Sequence, residues 1–348
     1  MVRLERRSDE ILRAIISEYI ATGEPVGSRT LSKRRDIGLS AASIRNIMSD
    51  LTDMGYIAQP HVSAGRIPTD QGYRFYVDGL LYGGAPAMED EAAIEASLKI
   101  AGLDIRDVLR QSSAVLAEFS RQTGVVTATP PVDQTFKAID LIKVSEDRIL
   151  VVLVSTRGLV QNKMILDEDS INQEALEKYS RMLNDMLKDL DLRQARERIE
   201  QELALEKTRV NAMLAKALIL GHTILAASTA REIFIEGQIN ILEEPEFAQI
   251  QKLKAILVTF EDKSNLLKIL DKTLEAKGIQ VFIGSEHGLC EIESCSIIAY
   301  PIRTEEASLG SIAVVGPKRM NYLKVVPLVD ATARILTQIA KRIIENEV

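Results

Sequence analysis

The stretch from Ser28 to Thr69 constrains this chain most, because it passes from one helical pattern to a second and then to a strand pattern. Ser40 is a good helix N-cap, and Ile44, Ile47, Met48, Leu51 and Met54 recur after it at steps of three and four, which puts one apolar stripe on a helix. The opposite face carries Ser43, Arg45, Asn46, Ser49, Asp50 and Asp53. Upstream, a short helix capped by Ser28 is expected to carry Arg29, Lys33, Arg34 and Arg35, and Gly38 supplies the turn between the two helices. Downstream, Gly55 ends the second helix, Tyr56 to Gln59 reads as a strand, Pro60 to Gly65 as a loop and Arg66 to Pro68 as the returning strand. The predicted unit is a helix-turn-helix followed at once by a small β wing.

Between residues 28 and 48, five basic residues (Arg29, Lys33, Arg34, Arg35 and Arg45) stand against one acidic residue, Asp36, a balance suited to a phosphate-facing surface. The second helix of such a pair reaches base edges through its N-terminal turns, where Ser43, Arg45, Asn46 and Ser49 fall. Arg can read guanine and Asn adenine through paired hydrogen bonds. Arg29, Lys33, Arg34 and Arg35, with His61, Ser63 and Arg66 on the wing, are the candidates for backbone or minor-groove contact. An amphipathic helix pair with a hairpin is also a common packing motif, and a charge run is commonly a solvated face. Pattern alone therefore leaves duplex binding and a plain structural role equally open.

The literal residues weigh for the first. GEPVGSRTL (23–31), SIRNIMSDL (43–51), HVSAGRIPTDQGYRFYVD (61–78) and VVGPKRMNY (314–322) resemble the signature segments of the bacterial heat-inducible transcription repressors, the HrcA family, and the resemblance runs the length of the chain. It implies an α+β multidomain protein: an N-terminal winged helix-turn-helix, and a GAF-like antiparallel-sheet domain interrupted by a mainly helical dimerisation insert. It also implies a homodimer that binds an inverted repeat of double-stranded DNA, the CIRCE operator, in front of chaperone operons such as those of GroE and DnaK. Activity would be lost on heating and supported by the GroEL chaperonin.

The remaining patterns divide the chain. A first helix is expected at 5–22 with Ile11, Leu12, Ile15, Ile16, Tyr19 and Ile20 inward, and Thr69 caps a further helix whose Tyr73, Phe75, Tyr76, Val77 and Leu80 are expected to pack against the wing. Residues 1–80 thus form the DNA-binding domain, and 81–103 a linker and connecting helix. A GAF-like first part is expected over 104–169, containing a helix and the meander FKAIDLIKV, RILVVLVST and GLVQNKMIL. The inserted dimerisation domain is expected over 170–260 and the second GAF-like part over 261–348. Within the insert, Val210 to Ser228 is apolar over much of its circumference, which calls for other helices or a second subunit to cover it.

Composition bounds the rest. A chain of 348 residues is long enough for two or three cores. Residues 1–80 hold 11 Lys+Arg and 10 Asp+Glu, and the remainder 32 and 40, so an acidic body carries a neutral-to-basic head. No apolar run approaches the roughly 18 residues of a membrane span, and the charged start MVRLERRSDE has no signal-peptide core, which predicts a cytoplasmic protein with no membrane partner. Cys290 and Cys295 fit no zinc spacing and are expected to stay reduced, and three scattered histidines suggest no metal. No phosphate-gripping glycine loop or nucleophile elbow is present, and His287 beside Cys290 reads as a surface loop, so neither an enzyme nor a cofactor is expected. The competing expectation is a metabolite-gated regulator that senses a small effector in the GAF-like domain.

Overall fold

The structure, a computed structural model, describes residues 4–61, 64–82, 91–99, 105–129, 135–156, 160–167, 170–206, 215–222, 232–304 and 308–346. The chain divides into two compact units, one of residues 1–127, 233–302 and 310–338, the other of residues 128–232, 303–309 and 339–348.

The first unit begins with α1 (Arg6–Thr22), α2 (Ser28–Ser32) and α3 (Ala41–Asp53), then a two-stranded antiparallel ribbon of β1 (Ile57–Ala58) and β2 (Ile67–Pro68), then α4 (Asp70–Tyr82). Ile11, Leu12, Ile15 and Ile16 of α1 meet Leu31 of α2 and Ile44, Met48 and Leu51 of α3 in one buried layer. Each full burial of such a side chain contributes roughly 1.5–3 kcal/mol. Ser28 is the first residue of α2 and Gly27 its cap, so the expected serine cap is displaced by one residue. Because α2 ends at Ser32, Lys33, Arg34 and Arg35 lie beyond it, in the turn that Gly38 closes at φ +60°.

Further along this unit, α5 (Glu91–Lys99) and α6 (Ile105–Ser120) lead into β3 (Thr123–Ala128). That strand, not anticipated from the sequence, sits inside a five-stranded sheet completed by β7 (Glu232–Glu236), β8 (Gln280–Ile283), β9 (Cys295–Arg303) and β10 (Ser308–Pro317) in the order β7-β3-β10-β9-β8. β3, β9 and β10 are buried at nearly every residue, the mark of a sheet covered on both faces. One covering layer is α10 (Ile250–Glu261) and α11 (Lys263–Thr273), whose Ile256, Phe260, Leu266, Ile269 and Leu270 join Val125, Ile297, Ala313 and Val315 in one core. The long C-terminal α12 (Tyr322–Asn346) buries Val325, Val326, Leu328, Val329 and Leu336. The stretch IFIEGQINIL (233–242) has a strand-like pattern throughout, but Gly237, at φ +74° and with its Cβ position only 2.5 Å from Ala117 Cβ, ends β7 and a 3-10 turn follows.

The second unit holds the meander β4 (Phe136–Ser145), β5 (Arg148–Ser155) and β6 (Val160–Leu166) with α7 (Gln173–Leu187), α8 (Leu192–Glu206) and α9 (215–222). The three strands were expected within the GAF-like part, and the insert was expected to begin at residue 170. Instead they form a separate sheet, because their inner face (Ile139, Leu141, Ile149, Val151, Leu153) packs on Leu176, Tyr179, Leu183 and Leu187 of α7. The segment after residue 232, placed in the insert by the sequence pattern, belongs to the first unit. Of the apolar stretch Val210 to Ser228 only 215–222 lies within the described residues, and there Ala217 and Leu218 are buried in the same core.

A strand edge is an invitation to pair with another chain. The free edge of β4 is closed by α7 side chains: Asn184 accepts from Ile139 N at 2.7 Å and donates to Ile139 O at 3.0 Å, Ser180 Oγ accepts from Leu141 N at 3.1 Å, and Gln173 accepts from Lys143 N at 2.8 Å. The outer face of this sheet is different. Ile142 on β4, Leu150 on β5 and Met164 on β6 are direct cross-strand partners, and Ile142, Val144, Met164 and Leu166 are all exposed, Leu166 to 71 %.

Candidate nucleic-acid interface

α3 starts at a well-made cap: Ser40 Oγ accepts from Ser43 N at 3.1 Å and pairs with Ser43 Oγ at 2.9 Å. The burial of Ile44, Met48 and Leu51 turns Ser43, Arg45, Asn46, Ser49 and Asp50 outward, all exposed. Among the described residues the side chains of Arg45, Asn46 and Ser49 have no intramolecular partner, whereas the Ser43 hydroxyl is shared with the cap. Met54, expected on the inner stripe, is the C-cap and 53 % exposed.

The expected phosphate contacts separate into two groups. Arg29, Lys33 and Arg35 are exposed. Arg34 is engaged with Asp36, its Nη2 2.9 Å from Oδ2, and lies 3.9 Å from Glu18. The hydrogen bond from Arg34 holds the exposed Asp36 carboxyl below its ordinary range. Arg66 is half-buried and structural: its Nε donates to Thr52 Oγ1 at 3.1 Å, and its backbone exchanges hydrogen bonds of 2.8 and 2.9 Å with Val26. That exchange stitches the ribbon to the segment before α2. It also explains Gly65, where a Cβ would sit 2.5 Å from the Val26 carbonyl. His61 is exposed at the ribbon tip, its carbonyl accepting from Ala64 N at 2.9 Å, and Ser63 lies outside the described residues.

Thr69 fastens ribbon to helix. Its Oγ1 donates toward the carbonyls of Gly55 at 2.7 Å and Tyr56 at 3.0 Å and accepts from Gly72 N at 3.1 Å, the cap that the sequence suggested for α4. Phe75 meets Tyr56 edge-on at 5.6 Å between ring centres, as expected for packing on the wing. Tyr73 does not join it. Its ring turns to Tyr322 of α12, 6.1 Å away, and burial, with the neighbouring Tyr322, pushes its phenol pKa up.

Sequence reasoning missed the residues that hold these helices to the five-stranded sheet. Arg74 of α4 reaches Glu286, with Nε 2.9 Å from Oε1, and also the Val281 carbonyl. Lys318 Nζ lies 2.5 Å from Asp70 Oδ1, and Arg319 bridges Glu244, at 3.3 Å, and Glu246. Two of the quoted segments, 61–78 and 314–322, therefore meet each other. The only advance signal was that both carry charge next to aromatics, which does not identify a partner 248 residues away.

His287 corrects the expected surface loop, since it is only 2 % exposed. Its Nδ1 accepts from Leu289 N at 3.2 Å, so Nε2 carries the proton and donates to the Ile292 carbonyl at 3.1 Å. Both nitrogens are occupied by backbone, and burial lowers the ring's pKa. Because the folded ring resists protonation that the unfolded ring accepts near pH ~6.5, folding stability should fall as pH drops through about that value. Urea melts between pH 7.5 and 5.5 check this: His287→Gln should flatten the slope in that window, and an unchanged slope overturns it. Cys295 is buried and its thiol pushed up to about 12 by that burial, while Cys290 is exposed; both are free. No helix among the described residues is long and apolar enough to cross a membrane.

An exposed Arg/Asn face on the second of two helices, flanked by exposed cations and a short ribbon, carries the groups that proteins of the nucleic-acid-binding class use. Residues 106–326 match the family model described as the HrcA protein C-terminal domain. The chain is 40 % identical over 341 residues to the heat-inducible transcription repressor HrcA of Syntrophobacter fumaroxidans (97 % of this chain, 98 % of that protein). It is 42 % identical over 347 residues to that of Geobacter sulfurreducens, covering both chains in full. A crystal structure of a hypothetical protein at 2.2 Å resolution matches with a TM-score of 0.67 and 25 % identity over 98 % of this chain and all of that one. The chain belongs to the HrcA family of heat-inducible transcription repressors.

Proposed function

We propose that the protein is a homodimeric repressor that reads an inverted repeat through two winged helices and blocks transcription by occupying promoter DNA. The observation that carries this is the outward face of α3, where Arg45 and Asn46 stand exposed and unpartnered in the first turns, with Arg29, Lys33 and Arg35 exposed beside them. Residues 4–82 are read as the winged helix, the ribbon β1–β2 being the wing, and the five-stranded sheet with its helices as the GAF-like domain. Ser43, Arg45, Asn46 and Ser49 carry base readout. Arg29, Lys33, Arg35 and the ribbon tip at His61 hold phosphates or the adjacent minor groove, while Arg34 and Arg66 serve chiefly to shape the fold. The family resemblance supports the CIRCE element as the site, chaperone operons as the targets, and GroEL as the factor that sustains activity until heat diverts it.

The second copy is read as docking on the outer face of the β4–β6 sheet. An antiparallel sheet with one solvated face normally alternates apolar and polar residues, yet here Ile142, Leu150 and Met164 form an unbroken apolar row across it. A two-fold axis then presents two α3 helices to two half-sites.

A titration at fixed salt with an inverted repeat, a half-site and a scrambled duplex tests the reading. Arg45→Ala should cost about 1–3 kcal/mol on the repeat and relax preference at one base pair per half-site. Lys33→Ala should weaken all three duplexes alike and flatten the salt dependence. Wild-type affinity and selectivity in Arg45→Ala would remove the assignment.

A further inference from the structure

We propose that Asp70, Arg74, Lys318 and Arg319 form a latch that fixes the orientation of the N-terminal helices on the five-stranded sheet, and so sets the spacer length the dimer accepts between half-sites. This rests on the repressor reading above. Beside the Tyr73–Tyr322 ring contact, the attachment between these two parts carries a set of ion pairs. Lys318 meets Asp70 at 2.5 Å, Arg74 reaches Glu286 and the Val281 carbonyl, and Arg319 reaches Glu244, Glu246 and the Ile20 carbonyl. All of these side chains are partly buried, between 18 and 35 % exposed.

Ion pairs of this kind add little net stability, because desolvation offsets most of the attraction. They define direction well, since a misaligned pair leaves partly buried charge unmet. The interior of the contact reinforces that reading. The Tyr73 hydroxyl, in a side chain only 2 % exposed, and Glu246 Oε2 are buried without a hydrogen-bond partner. Such atoms subtract from stability rather than add to it, so the polar part of this contact defines geometry more than it adds stability. Gly284 shows how closely it is fitted: at φ +56°, its Cβ position lies 2.2 Å from Asp70 Oδ2 and 2.7 Å from Lys318 Nζ, so only glycine lets the pair close. None of these residues lies on the exposed face of α3, so they act on DNA through the placement of that helix and are positioning residues.

The test uses the full chain and duplexes whose two half-sites are separated by the natural spacer or by spacers a few base pairs shorter or longer. Wild type should prefer one spacer by about tenfold or more, the gain expected when both heads engage together. Asp70→Lys and Lys318→Asp should each flatten that preference while leaving half-site affinity unchanged, and the double swap should restore it. A merely structural role would lower half-site and repeat binding together. A DNA-free arm guards against misfolding and against failure of the repressor reading: one dye on the exposed Cys290 and one on a cysteine introduced by Asp53→Cys report the head-to-sheet distance. In Asp70→Lys that distance should broaden below the global melting temperature and narrow again in the double swap. An unchanged distance in the single variants, or a spacer preference that survives them, overturns the latch. Absence of duplex binding by every variant and by wild type, with the distance change present, would count against the repressor reading and leave the latch standing.

Discussion

Ile142→Lys combined with Met164→Lys should convert the protein to a monomer at micromolar concentration and weaken its hold on an inverted repeat by about 10²–10⁴-fold, the range expected when two linked binding events become independent. The two residues sit on β4 and β6 at the same level, each opposite Leu150 of β5. Two ammonium groups there would replace both ends of the apolar row and leave only Leu150 between them, and a two-fold contact would bring four together. Lysine at exposed strand positions does not oppose folding of the unit, because the inner face and the α7 side chains that close the β4 edge are untouched. Sedimentation velocity reads the mass and anisotropy the two affinities. Half-site binding should stay at the wild-type value. A dimer that survives both substitutions would place the second copy elsewhere.

That face shows both the reach and the limit of sequence reading. The three strands were legible to within a residue or two, since β-branched and aliphatic residues alternate and Glu146-Asp147 marks a turn. Their sheet membership was not. A meander can close on any helix with a complementary stripe, and nothing local says that Leu176, Tyr179 and Leu183 of α7 take its inner face. β3 was missed because its six residues follow α6 with almost no spacer, and Thr123, Val125 and Val126 extend the helix's apolar content without a change of composition. Its close fit rests on Gly124, whose Cβ position lies 2.1 Å from the Ser113 carbonyl, a contact visible only in three dimensions. The polar face of α3 was the opposite case. A cap, an apolar stripe and its polar reverse are all within one helix, so the outward set Ser43, Arg45, Asn46 and Ser49 could be read directly. What could not be read was which cations were already engaged: Arg34 and Arg66 look like their neighbours in sequence, Asp36 is nearer to Arg35 than to Arg34 along the chain, and only the fold brings Glu18 and Thr52 into reach.

Gly72→Ala should unfold the N-terminal helices well below the wild-type transition and abolish operator binding with them, although helix propensity argues for the reverse. Alanine in the first turn of α4 would gain about 0.8–1 kcal/mol over glycine by propensity alone. Against that, the added Cβ would lie 2.2 Å from the Tyr56 carbonyl oxygen, a backbone atom. That oxygen cannot step aside cheaply. It accepts from Thr69 N at 3.1 Å and from Thr69 Oγ1 at 3.0 Å, while the Tyr56 ring is buried against Phe75. Overpacking a fixed contact costs about 1–3 kcal/mol and more when backbone must shift, so the clash outweighs the propensity gain. Relief would move α4 away from the ribbon, and the Thr69 bonds that hold ribbon, α3 end and α4 together would be lost with it. Gly278→Ala is the matched control, since its Cβ meets nothing within 4 Å, and it should leave stability unchanged or raise it by about 0.4–1 kcal/mol. Thermal melts followed by circular dichroism, with anisotropy on a half-site at each temperature, separate the two variants. A Gly72→Ala protein that melts and binds like wild type would show that α4 does not approach Tyr56 this closely.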